Sequence, residues 1–208
     1  MFYDATQLPK WLLKACIVPR PIAWVSSVSE AGVFNLAPFS YFNAVADEPP
    51  FIMFSTTGAH IEGGAKDSVL NIEATKEFVV NIATYSMCEA VNLSSADLPR
   101  HESEFDFAHI DYESSEKVRV PRVTASPIHL ECCYYTSVQL PCNKPDTINR
   151  MIVGEVIGIH VREEILTNGL VDITKLQPIA RLGYNDYATI KANIFSMIRP
   201  NLTNKQGN

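Results

Sequence analysis

The reading of this chain turns on "PRPIAWVSSVSEAGVFNLAPFSYFNAV", residues 19–45. Its first part reads as a β-hairpin: an apolar strand in "PIAWVSSV", a short turn containing Gly32, and a second strand from about Phe34. The second strand is unusual. "NLAPFSYFNAV", Asn35 to Val45, carries a proline at position 38 and mixes small, aromatic and polar side chains without clean alternation. A proline in a sheet removes a ladder donor. Pro38 therefore belongs at an edge, at a bulge, or where the backbone turns toward something other than a neighbouring strand.

Outward from this unit the chain reads mainly as sheet. "DEPP" breaks the chain before a further strand in "FIMFSTT". After "GAHIEGGA", the segment "KDSVLNIEATKE" predicts a short helix with Asp67 or Ser68 as N-cap. "FVVNIATY" is a strand, "SMCEAVNLSSADL" a helix opened by Ser86, and "PRHESEFDFAHIDYESSEK" an acidic, irregular surface segment. "IHLECCYYTSVQL" alternates as a half-buried strand, with Ile128, Leu130, Cys132, Tyr134 and Val138 inward and His129, Glu131 and Gln139 outward. In "RMIVGEVIGIHVREEI", Gly154 and Gly158 mark bends or a close backbone approach. Hairpin-linked strands with helices inserted at intervals, and no regular strand–helix–strand alternation, predict an antiparallel barrel over a doubly wound sheet.

Composition excludes several function classes. The 208 residues are 47% hydrophobic and 19% charged, enough for one substantial core, so one domain over 1–208 is expected. The net charge is −6 and the 17 basic residues are scattered, which predicts no nucleic-acid surface. No apolar run approaches the roughly 18 residues of a membrane helix, and the start lacks the sections of a signal peptide; a cytoplasmic protein with no membrane partner is expected. The five cysteines, with Cys132 and Cys133 adjacent, do not form a disulfide framework, and no Cys or His spacing predicts a metal site.

The usual signatures of dinucleotide folds, P-loops and serine-hydrolase elbows are missing. The best local candidate is "EGGAKDSVLN": glycines for a tight turn, the amides and positive dipole of a helix start, and Lys66 and Ser68 as cation and hydroxyl. Such a turn can hold a phosphate, or it can be an ordinary capped loop with Lys66 in water. Ser26, Ser27 and Ser40 read locally as hydroxyls satisfied by nearby backbone, His160 as a surface histidine, Tyr184 as a core tyrosine, and the carboxylates of "SSADLPRHESE" as a solvated face.

The order of these motifs carries a resemblance. "PRPIAWVSSVSEAGVFNLAPFSYFNAVADEPPFIMFS", then "KDSVLNI", "EFVVNI", the "GEV" of residues 154–156 and the late "PIARLGYNDY" together resemble the flavin reductase-like family of FMN-binding split barrels. The resemblance implies a six-stranded antiparallel split β-barrel, a homodimer, and FMN in a groove near the subunit interface. It implies cofactor contacts from Ala37, Pro38, Tyr41 and Phe42 along the flavin, from the side chains of Asn35 and Ser40, from Ser26 and Ser27 on the neighbouring strand, and from Lys66, Asp67 and Ser68 at the phosphate. FMN itself supplies the redox chemistry, so no catalytic acid–base pair is expected.

The activity implied is that of an NAD(P)H-dependent flavin reductase, passing hydride from a nicotinamide dinucleotide to flavin and electrons on to a second flavin or a redox partner. The alternative implied is a flavoredoxin-type FMN electron carrier with little nicotinamide oxidation. A phosphate bond at Lys66 predicts that Lys66→Ala costs about 10- to 100-fold in FMN affinity. The ending "RLGYNDY" has one glycine after Arg-Leu where the family often has two, so Tyr184 and Tyr187 are not assigned.

Overall fold

The computed structural model describes residues 1–9 and 11–199. It is mainly β, with a few short helices. Seven strands form the principal sheet: β1 (Ala23–Val28), β2 (Phe34–Phe39), β3 (Phe42–Asp47), β4 (Pro50–Thr56), β5 (Glu77–Ile82), β6 (Ile128–Leu140) and β7 (Asn149–Val161). Their order is β2-β1-β5-β6-β7-β4-β3, and every pairing is antiparallel.

The hairpin read from residues 19–45 is β1 and β2, closed by Gly32 at φ +85° and the bond from Ser29 N to Val33 O. The run after it is not one strand. It breaks at Ser40–Tyr41, so that β2 pairs with β1 while β3 pairs with β4 at the opposite end of the sheet order. One stretch of chain thereby joins both edges, and Ser55 N donates to Tyr41 O (2.8 Å) across the join. The sheet curls on itself for this reason. The same break gives seven named strands where six were expected.

Pro38 sits in β2, at the end of the sheet order, where its missing N–H costs no ladder bond. The register of β6 and β7 slips at Val153/Gly154 and at Val156/Gly158, the two glycine positions read as bends. Gly154 also makes room in the core. A Cβ there would stand 2.4 Å from the Phe78 ring.

The central core joins Val25, Phe54, Phe78, Val80 and Ile152 from the strands to Val69 and Ile72 of a helix. A second cluster on the other face of β1 and β2 gathers Trp24, Leu36, Met87, Val91 and Phe105. Four helices concern the functional site: α1 (Leu12–Cys16), α2 (Asp67–Thr75), α3 (Cys88–Leu93) and α4 (Glu104–Phe107). The N-cap of α2 is Lys66, one residue earlier than expected, because Ser68 and Asp67 spend their side chains on other partners. The helix predicted to open at Ser86 opens as a 3-10 turn, Tyr85–Met87, before α3.

Two expectations reverse. The segment read as an acidic surface contains α4, with Glu104 and Phe105 buried. In β6, His129 and Glu131 are buried rather than outward, because the chain from Glu113 to Val123 covers that face of the sheet. Glu131 accepts from the backbone N–H of Glu116, Lys117 and Val118 and from the His160 ring at 2.5 Å. His160 is thus part of a buried lock, not a free surface histidine. Among the described residues, no helix is long and apolar enough to cross a membrane.

Candidate functional site

Because β2 ends the sheet order, its second backbone edge has no strand partner. A groove runs along it, in two cavities that share Pro38 and Ser95. The first, about 150 Å³, is walled by Asn35, Ala37 and Pro38 of β2, by Lys66, Asp67 and Ser68 at the start of α2, and by Glu104 of α4. The first six of these residues are those expected from the sequence; Glu104 is an addition.

Glu104 organises this cavity. Both its oxygens accept from Asn35 Nδ2 (2.9 Å each), and Oε2 also accepts from the backbone N–H of Leu36 (2.8 Å) on the free edge of β2. Asn35 Oδ1 in turn accepts from the hydroxyls of Ser68 (2.7 Å) and Ser27 (3.3 Å), and Ser27 Oγ accepts from Asn71 (3.2 Å). A glutamate on one helix thus fixes an asparagine on the edge strand, and the asparagine fixes the start of another helix. Burial raises the Glu104 pKa above the ordinary carboxylate value, against the pull of the Leu36 N–H and Asn35, and the Asp67 carboxylate raises it further.

The remaining groups at this end are also engaged. Lys66 Nζ donates to Asp97 (2.7 Å). Asp67 holds Arg100 and His60 Nε2, the latter at 3.1 Å, while His60 Nδ1 accepts from the N–H of Glu62. Arg100 also donates to Gly63 O (2.6 Å) and Ala65 O (3.2 Å), which clamps the glycine loop. Asp97, read as solvated, is therefore a partner of Lys66. Lys66 and Arg100, the cations at this end, are both paired with carboxylates, so a dianion here would meet the amides of the α2 start and the hydroxyls of Ser94 and Ser95 beside cations that are already engaged.

The second cavity, about 410 Å³, lies beyond Pro38 and Ser40. Its walls come from distant segments: Lys14 of α1, Arg20, and Arg181 with Leu182 near the C-terminal end of the described chain. Arg20–Pro21 pairs with Ile179–Arg181, which pairs with Tyr187–Thr189, in a small separate sheet. Ser40 belongs here, as a 3.5 Å neighbour of Arg20 Nε.

The other expected contacts are elsewhere. Ser26 and Ser27 are fully buried in the barrel wall, and Ser26 Oγ donates to Pro121 O (2.7 Å) and accepts from Asn81 (3.2 Å). Phe42 packs on the central core opposite Phe54, and Tyr41 forms the join between β2 and β3. Ser26, Ser27, Tyr41 and Phe42 therefore do not line the first cavity, whereas Asn35, Ala37, Pro38, Lys66, Asp67 and Ser68 do.

A flavin needs an elongated groove, a flat apolar wall, hydrogen-bonding groups along one ring edge and an anion site at one end. The free edge of β2, Pro38 and Phe39, and the cationic second cavity supply these in continuity. The residues fit.

Comparison with known proteins agrees. Residues 15–179 match the model of the flavin reductase like domain. The chain is 33% identical to nitrilotriacetate monooxygenase component B from Bacillus cereus, with a TM-score of 0.85 over 95% of this chain and 98% of that one. It is 27% identical to the 2-nitrobenzoate 2-nitroreductase of Pseudomonas fluorescens, with a TM-score of 0.82 over the whole of both chains. Flavoredoxin of Desulfovibrio vulgaris (Miyazaki F), 17% identical with a TM-score of 0.75 over 94% of this chain and 97% of that one, shares the fold. The chain belongs to the flavin reductase like domain family, with the split-barrel fold.

Proposed function

We propose that the protein is an FMN-binding oxidoreductase acting as an NAD(P)H-dependent flavin reductase. The observation that carries the reading is the edge of β2 that no strand covers, which runs beside Pro38 along both cavities. Bound FMN would supply the hydride and electron chemistry, so the chain's task is to hold, orient and shield it. Ala37–Phe39 would present backbone groups to the ring edge, Asn35 and Ser40 would flank it, and Lys66, Asp67 and Ser68 would stand at one end. Glu104 would act as a positioning residue, through Asn35 and the Leu36 N–H.

The similarity to a monooxygenase component B supports a role beside an oxygenase that consumes the electrons. A homodimer belongs to the same proposal. Ile157, Ile159 and Val161 of β7 stand exposed on one strand, and a twin would cover them. Light scattering of the purified protein should give twice the chain mass.

Steady-state NADH and NADPH oxidation, with and without added FMN, tests the activity. Oxidation that depends on flavin and saturates with the nicotinamide supports it. A flavin-loaded protein that oxidises neither nicotinamide but accepts electrons from a reduced protein donor would make it an electron carrier instead.

A further inference from the structure

The second cavity collects positive charge without an acid to balance it. Arg20 and Arg181 are direct cross-strand partners in the small sheet, an arrangement in which like charges repel. Lys14 approaches from α1 as a third cation lining the same cavity. No carboxylate of a described residue pairs with any of the three. Asp186, in the turn that follows Arg181, is not among the lining residues.

Arg20 is only 5% exposed. Its guanidinium is satisfied by the carbonyls of Lys14, Ile17 and Leu182, which supply dipoles but no counter-charge. Burial pushes the Lys14 ammonium pKa down, and the charges of Arg20 and Arg181 push it further the same way. Buried charges in folded proteins are ordinarily paired. Among the described residues none supplies the pairing charge.

The rim narrows the chemistry. Arg181 lies over the Tyr187 ring at 4.5 Å, Lys14 lies 5.2 Å from the Trp11 ring, and Tyr184 is exposed at the cavity mouth. Flat aromatic faces beside clustered cations suit a nucleotide better than a bare inorganic ion.

We propose that Lys14, Arg20 and Arg181 form a binding site for the phosphoryl group of a nucleotide ligand. Arg20 holds the site together through its three carbonyls and the hydroxyl of Ser40, while Lys14 and Arg181 contribute the adjustable charge. The proposal rests on the flavin reductase reading only for the source of the phosphoryl group, which is either the monophosphate of FMN or the pyrophosphate of a nicotinamide dinucleotide.

The test is calorimetric titration of the purified protein with inorganic pyrophosphate at low salt, in wild type, Lys14→Gln, Arg181→Gln and, as a remote charge control, Lys175→Gln. Wild type and the control should bind alike, each of the other two variants should bind about 10- to 100-fold more weakly, and added salt should weaken the wild-type complex. No pyrophosphate binding to wild type, or equal affinity in all four proteins, overturns the proposal. Lys14 is half-buried on a short helix, so Lys14→Gln still reads the site if Arg181→Gln fails to fold. The source follows from FMN and riboflavin titrations of Lys14→Gln. Loss of FMN affinity with riboflavin unchanged assigns the phosphoryl group to the flavin, and unchanged affinity for both assigns it to the dinucleotide. The pyrophosphate result stands in either case, even for a protein that binds no flavin.

Discussion

At one end of the groove Lys66 is held by Asp97, Asp67 by His60 and Arg100, and Ser68 by Asn35. At the other end Lys14, Arg20 and Arg181 face the same space with no acid among them. The first end carries the motif that stands out in the sequence, a glycine turn followed by Lys-Asp-Ser at a helix start. The second is assembled from residues far apart in the chain, such as Arg20 and the Leu182 carbonyl it holds, 162 positions away. The contrast teaches that residue types at the right spacing can be given partners by the fold itself, before any ligand arrives. Unmet charge is the better guide.

The largest expected effect is at the closed end. Glu104→Ala removes the acceptor of Asn35 Nδ2 and of the Leu36 N–H, both buried, and should destabilise the fold by about 3 kcal/mol, read as a shift in urea midpoint. Pyrophosphate affinity at the open end should survive. A variant that keeps wild-type stability would show that this end is not the self-satisfied unit described. The pH dependence follows from the sign of the shift. The folded pKa of Glu104 is raised by burial, so its contribution is fully present below the ordinary value of 4.5 and is lost as pH rises through the folded value. The stability of wild type relative to Glu104→Gln should therefore fall as pH rises through that range.

Gly183→Ala probes the open end. A Cβ there would stand 2.8 Å from the Ala15 Cβ and 2.9 Å from its Cα, so α1 must move away from the Leu182–Gly183 turn. Overpacking of this kind costs about 1–3 kcal/mol. Because α1 carries Lys14, pyrophosphate binding should weaken as well. Unchanged binding would separate α1 from the site.

The smallest effect is expected at Lys66. Its partner Asp97 is more than half exposed, and such surface pairs contribute about 0.2–1 kcal/mol, so Lys66→Ala should scarcely move the melting temperature. FMN affinity should fall less than about tenfold, below the range expected from the sequence alone, because Asp97 already neutralises the ammonium. A fall of tenfold or more, with riboflavin unaffected, would put the phosphate at the start of α2 and invert the comparison.

What the sequence made legible was local. Pro38 marked the edge strand because a missing N–H is a property of one residue, and Gly154 and Gly158 marked the slips in register between β6 and β7. The antiparallel, mainly β architecture followed from hairpin spacing. What stayed hidden depends on residues far along the chain. The acceptor of Ser26 is the Pro121 carbonyl, 95 positions away, so a serine that could face a ligand is instead part of the wall. His129 and Glu131 fall on the polar side of an alternating strand, and nothing in that strand reveals that the Glu113–Val123 segment will cover it. Glu104 lay in a run of acids that resembles any solvated face. Arg20 and Arg181 become neighbours only through a strand pairing that no local pattern announces.

The most direct test of the account is an absorbance titration of the purified, flavin-stripped protein with FMN. Saturation is expected at one FMN per chain, with a perturbed flavin spectrum and a dissociation constant of about 1 μM or tighter, the mark of a ring taken out of water along β2. Failure to bind either FMN or FAD at concentrations a hundredfold higher would contradict it.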